Sequence, residues 1–130
     1  MITEVENILK TSPLAYRDVL LCVDAVTTGQ AAVKFDAFKP GFPFEVVSVQ
    51  HYAEALVANA SYDVKIGTTS VLNALEVPVA ATREDGVLTS TSANLRGSAT
   101  DVINLHVTTD GSGEFTGLKV RVRIRAQGHR

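Results

Sequence analysis

Cysteine occurs once in this chain, as Cys22, so no internal disulfide can form and no cysteine-based zinc site can be built. Tryptophan is absent and there are three tyrosines, Tyr16, Tyr52 and Tyr62, which leaves little material for an aromatic sugar-binding groove. No run reaches the about 18 apolar residues that a membrane-spanning helix needs. The N-terminus carries Glu4 and Glu6 where a secretory leader has a basic region followed by an apolar stretch, so synthesis and folding in a cytoplasm are expected. The glycine patterns of nucleotide-binding loops are missing. Gly97-Ser98-Ala99 and Gly111-Ser112-Gly113 do not match the Gly-x-Ser-x-Gly elbow of a serine nucleophile. His51, His106 and His129 stand apart from one another and from Cys22, off any metal-ligand spacing. No cofactor is implied.

What remains is a β-protein. At 130 residues, with 45% hydrophobic and 20% charged, the chain has the length and composition of one globular domain with one core. The net charge of −2 argues against a general nucleic-acid binder. The clearest pattern is near the C-terminus. Leu118, Val120, Val122 and Ile124 alternate with Lys119, Arg121, Arg123 and Arg125. Strict alternation means a strand with one apolar and one cationic face. Ile103, Leu105 and Val107 offer a second strand, and Asp110-Gly111-Ser112-Gly113 tolerates positive φ, so a β-hairpin over 101–126 is expected.

Four aligned cations repel one another unless acidic groups face them. Their counter-charge could come from an adjacent strand, from solvent or from an acidic surface on another subunit. Nucleic acid is the weakest partner, because the strand holds no aromatic stacking platform.

Upstream, Thr3 and Glu6 fit a capping box, and Val5, Ile8 and Leu9 follow at helical spacing, ending before Pro13. A short amphipathic helix is expected, within an N-terminal arm over 1–15 that must pack on its own sheet or on a neighbouring subunit. Residues 16–130 are expected to form the β-domain. The apolar run in 16–24 reads as a buried strand. In 31–38, Val33 and Phe35 read as one face, Lys34 and Asp36 as the other. Residues 39–43 cross over, with two prolines and a glycine. A strand follows from Phe44 into an alanine-rich stretch read as strand rather than helix, then a turn at Asn59-Ala60-Ser61 and a strand through Tyr62, Val64 and Ile66. Residues 70–74 and 76–81 read as two short strands or one kinked strand, with Pro78 marking an edge. Arg83-Glu84-Asp85-Gly86 reads as a turn. Residues 87–96 are polar, with Val87, Leu88 and Leu95 as anchors, and Arg96-Gly97-Ser98-Ala99 reads as a loop. Short strands at this spacing predict an antiparallel sandwich or barrel.

Residues 110–114 have calcium-loop composition but lack the oxygen donors of an EF-hand, and a turn explains them. Asn59-Ala60-Ser61 matches a glycosylation acceptor without the secretory leader that would give it meaning.

Phe44-Glu45-Val46-Val47-Ser48-Val49, residues 62–72, Leu95-Arg96-Gly97, Asn104 to Gly113 and Leu118 to Val122 together resemble the small β-rich virion proteins of tailed bacteriophages, among them capsid decoration (cement) proteins and head fibres. The resemblance covers roughly residues 40–126 and is one of strand order, with no catalytic motif. It implies an all-β, jelly-roll-like antiparallel sandwich that docks on the major capsid protein as a dimer or trimer, on the virion surface and away from membrane and nucleic acid. Such a protein stabilises the shell by binding only its assembled state. A fibre or tail module recognising host glycans is the alternative, and a small hydrolase the third. Lys119, Arg121, Arg123 and Arg125 are the candidate interface, and Val5, Ile8 and Leu9 the packing face of the arm.

Overall fold

The computed structural model describes residues 16–26, 33–57, 60–109 and 114–127. The expected N-terminal helix with Val5, Ile8 and Leu9 lies outside them. Among the described residues there are ten strands: β1 (Tyr16–Val26), β2 (Val33–Phe38), β3 (Phe44–Tyr52), β4 (Ala55–Val57), β5 (Ala60–Ile66), β6 (Thr69–Ser70), β7 (Glu84–Asp85), β8 (Arg96–Gly97), β9 (Ile103–Thr109) and β10 (Glu114–Ala126). A 3-10 turn at Ser92–Leu95 is the one helical element among the described residues.

The strands form two antiparallel sheets. The larger runs β1-β10-β3-β7, with β4 also paired to β10 and β8 to β3. The smaller runs β2-β9-β5-β6. Strand β10 organises the larger sheet because its alternation is unbroken from Leu118 to Ile124. Leu118, Val120, Val122 and Ile124 are all buried, each worth roughly 2 kcal/mol of transfer free energy. Gly117, at φ +61°, resets the phase just before them, so that Phe115 and Leu118 both point inward. A Cβ at Gly117 would also meet the side chain of Glu54 at 2.7 Å. Facing this layer, Tyr62, Val64 and Ile66 of β5 and Ile103, Leu105 and Val107 of β9 complete one shared core.

The expected terminal hairpin is not present. Strand β9 pairs with β2 and β5, and β10 with β1, β3 and β4, so the chain passes from one sheet to the other between Thr109 and Glu114. Alternation reports which face of a strand is apolar, not whose edge it joins. Each of these strands has an apolar face long enough to hold a central place, so the two faces meet across the core instead of lying side by side.

Other expectations shift in similar ways. Strand β1 is buried on one face only: Val19, Leu21 and Val23 point inward, while Leu20 and Cys22 are exposed. A register shift between Lys34 and Asp36 sets Lys34 opposite His106 but Asp36 opposite Leu105, so those two do not share a face. Asp36 instead accepts the Cys22 backbone N–H at 2.9 Å, linking the two sheets along one side. Ala60 and Ser61 already belong to β5, not to a turn. Glu84 and Asp85 pair with β3, and Arg96 and Gly97 with the start of β3, where a turn and a loop were expected.

Residues 71–83 form no strand; Glu76 bridges Tyr62, Leu72 bridges Leu88, and Pro78 is buried. This strap exposes Leu75, Val77 and Val79. Leu88 and Leu95 pack against the core, and Val87 is exposed. The reading of the alanine-rich stretch as strand agrees with β3, β4 and β5. No helix among the described residues is long and apolar enough to cross a membrane.

A cationic ladder on the outer face of the larger sheet

The ladder residues stand on the outer face of β10, between β1 and β3. Strand register lines them up in rows. Tyr16, Arg125, Glu45 and Arg96 form the first row, and Asp18, Arg123 and Ser48 the second. Leu20, Arg121, Gln50 and Asp85 form the third, and Cys22, Lys119 and Tyr52 the fourth. A bulge at Val47, where the register shifts between Arg123 and Ile124, lets Glu45 and Ser48 share this face.

Three of the four ladder cations find counter-charge within their own sheet, though not equally. Arg123 donates from Nε and Nη2 to the two carboxylate oxygens of Asp18, at 2.8 and 3.2 Å, a two-pronged pair. Arg125 donates to Glu45, and Arg96 lies 3.8 Å from the other oxygen of Glu45. Arg121 differs. Its Nη2 donates to the neutral amide oxygen of Gln50 at 2.6 Å, and its nearest carboxylate, Asp18, is 3.7 Å from Nη1. Gln50 in turn donates to Asp85 at 3.3 Å. Lys119 has no ion-pair partner among the described residues. Asp18, Ser48, Gln50, Asp85, Arg121 and Arg123 line an open depression of about 170 Å³. These partners were missed in the sequence because they are set by cross-strand register; the signal was Asp18 at the edge of the apolar run Val19 to Val23.

Hydrogen bonding from Arg123 holds the Asp18 carboxyl below its ordinary value, outweighing partial burial that acts the other way. A carboxyl whose folded-state pKa is depressed contributes stability above its unfolded value and loses it as pH falls through the folded one. The stability that Asp18 contributes is therefore expected to be lost as pH falls from near 3.8 downward in an acid titration of the wild type. Asp18→Asn should remove part of that slope, measured as the denaturant midpoint against pH; an unchanged slope would detach Asp18 from the effect.

A second polar cluster lies inside. His51 of β3 is buried, with Nδ1 2.5 Å from the Tyr62 hydroxyl of β5 and Nε2 3.3 Å from Glu84. The Glu84 carboxylate accepts from Val79 and from His51, in that order of effect, and is held below its ordinary range. Burial, reinforced by Glu76, Asp63 and Glu84, pushes the Tyr62 hydroxyl far above its ordinary value. The parts are those of an acid–base relay, but Tyr62 is fully enclosed and reaches no solvent. The chain Tyr62–His51–Glu84 ties the two sheets and the strap together.

His106 is half-buried on the outer face of the smaller sheet, and burial, with help from Lys65, lowers its pKa. Its Nδ1 and the nearby Asn104 Oδ1 are enclosed without hydrogen-bond partners. Among the described residues, no group of three or more His, Cys, Asp or Glu side chains could hold a metal ion. No family model, no curated protein and no solved structure matches this chain.

Proposed function

We propose that this protein is a non-enzymatic structural component of a tailed-phage virion, binding and stabilising the outer surface of the capsid shell. The outer face of the larger sheet is its contact surface and the major capsid protein its partner. The observation that carries the reading is the charge of that face. Its four rows hold five cations, Arg96, Lys119, Arg121, Arg123 and Arg125, against three carboxylates, Asp18, Glu45 and Asp85, on a chain whose net charge is −2. A sheet face whose four rows carry more cations than carboxylates suits broad docking on an acidic protein surface.

In this reading the two sheets form a jelly-roll-like sandwich. The N-terminal arm, with Val5, Ile8 and Leu9 on one side of a short helix, clamps a neighbour, and the protein acts as a dimer or trimer. Binding only the assembled shell stabilises it by mass action, with no disulfide required.

The test is electron cryo-microscopy of particles assembled with and without this chain. Added density on the outer shell is expected, with heads lacking it bursting at lower temperature. Density confined to the tail, or heads of equal stability, would overturn the reading.

A further inference from the structure

The four ladder cations are not equivalent. Arg123 and Arg125 are tied to carboxylates of their own sheet, Asp18 and Glu45. Arg121 has a neutral hydrogen-bond acceptor and a 3.7 Å ion pair with Asp18, a carboxylate that Arg123 holds more closely, and Lys119 has no ion-pair partner among the described residues. The two sit on the same face of one strand, about 6.5 Å apart along it. Their cross-strand neighbours are Leu20 and Cys22 on one side and Gln50 and Tyr52 on the other, all uncharged. The nearest further acids in the register are Asp85, engaged by Gln50, and the exposed Asp24 and Glu54 beyond Lys119; none of the three comes within ion-pair distance of it. Within the four rows, the cations least neutralised by their own sheet are therefore Lys119 and Arg121. Leu20, beside Arg121 in the register, is 58% exposed and supplies an apolar contact next to it.

We infer that Lys119 and Arg121 are the anchor of the docking face. They take a carboxylate-bearing patch of an acidic protein partner whose adjoining apolar side chain rests on Leu20. The inference rests on the reading that this face docks against protein. A carboxylate seated between the two cations removes their mutual repulsion and bonds the donors of Arg121 that Gln50 leaves unused. Arg123 and Arg125 would have to give up Asp18 or Glu45 to do the same, so they contribute to the sheet rather than to the partner.

The test uses the full, isotopically labelled chain, titrated with hexaglutamate and, as control, hexalysine, followed by amide chemical shifts. Saturable shifts are expected at Leu20, Lys119, Arg121 and Tyr52 with hexaglutamate alone. Lys119→Gln with Arg121→Gln should weaken the apparent Kd at least fivefold without lowering the thermal midpoint. Arg125→Gln should lower the midpoint and leave the Kd within twofold. Shifts centred on Arg96, Arg123 and Arg125, or on Lys34 and Lys65 of the smaller sheet, or no saturable shift at all, would overturn the anchor.

Particle occupancy separates this from the capsid reading. If the Lys119→Gln/Arg121→Gln chain covers heads as fully as wild type, the anchor falls while the reading stands. If the wild type binds hexaglutamate at this pair but is absent from heads, the reading falls and the anchor stands.

Discussion

Gly97→Ala is expected to lower the free energy of unfolding by about 3 kcal/mol, the upper part of the range for overpacked cores. Gly97 lies directly opposite Phe44 in the β8–β3 pairing, and the Phe44 ring lies across it. A Cβ at Gly97 would stand 2.3 Å from the end of that ring, with two more ring atoms at 2.5 and 3.0 Å. The ring has no room to withdraw, since Phe44 is fully buried among the packed side chains of the core. Either β8 detaches, losing the Phe44–Gly97 and Glu45–Arg96 pairs, or the ring leaves its well. Both raise the energy of the native state, and both show as a lower denaturant midpoint at unchanged slope. Phe44→Leu in the Gly97→Ala background should recover part of the loss, because a shorter side chain clears the new methyl. Additive effects in that pair of substitutions would show that the contact is not the cause.

That dependence is invisible in the sequence, where Arg96-Gly97-Ser98-Ala99 reads as a loop. The glycine matters through a residue 53 positions upstream, brought opposite it by register. The same limit runs through the fold. Periodicity located β10 and β9 and their apolar faces, because alternation is a property of one strand and its burial. It did not assign either strand to a sheet, since the partner of an edge is decided by the whole topology. The cationic ladder was legible as residues, and its neutralisation was not: Asp18, Glu45 and Gln50 meet it only through β1 and β3. The bulge at Val47, which brings Glu45 and Ser48 to one face, leaves no composition signal of its own. The two-residue strands β7 and β8 read as a turn and a loop because they borrow their order from β3 rather than from their own sequence.

Tyr62→Phe and His51→Leu are each expected to cost about 2 kcal/mol, and the double substitution much less than their sum. The tautomer follows from chemistry. The Glu84 carboxylate only accepts, so His51 Nε2 carries the proton it shares with Glu84, and Nδ1 accepts from the Tyr62 hydroxyl. Removing the hydroxyl leaves Nδ1 enclosed beside a ring that offers it nothing. Removing the imidazole leaves the Tyr62 hydroxyl, which is fully buried, with no acceptor. Each single change strands one buried polar group, whereas the double change strands none and fills much of the same space with apolar atoms. Glu84, whose side chain is 38% exposed, can turn to solvent in either case and still accept from Val79 at 3.1 Å. The coupling between the two sites should therefore be favourable by about 2 kcal/mol or more in a double-mutant cycle read from denaturant midpoints. Additive losses would mean that the short bond between the two rings contributes little, and that the sheets are joined there by packing alone.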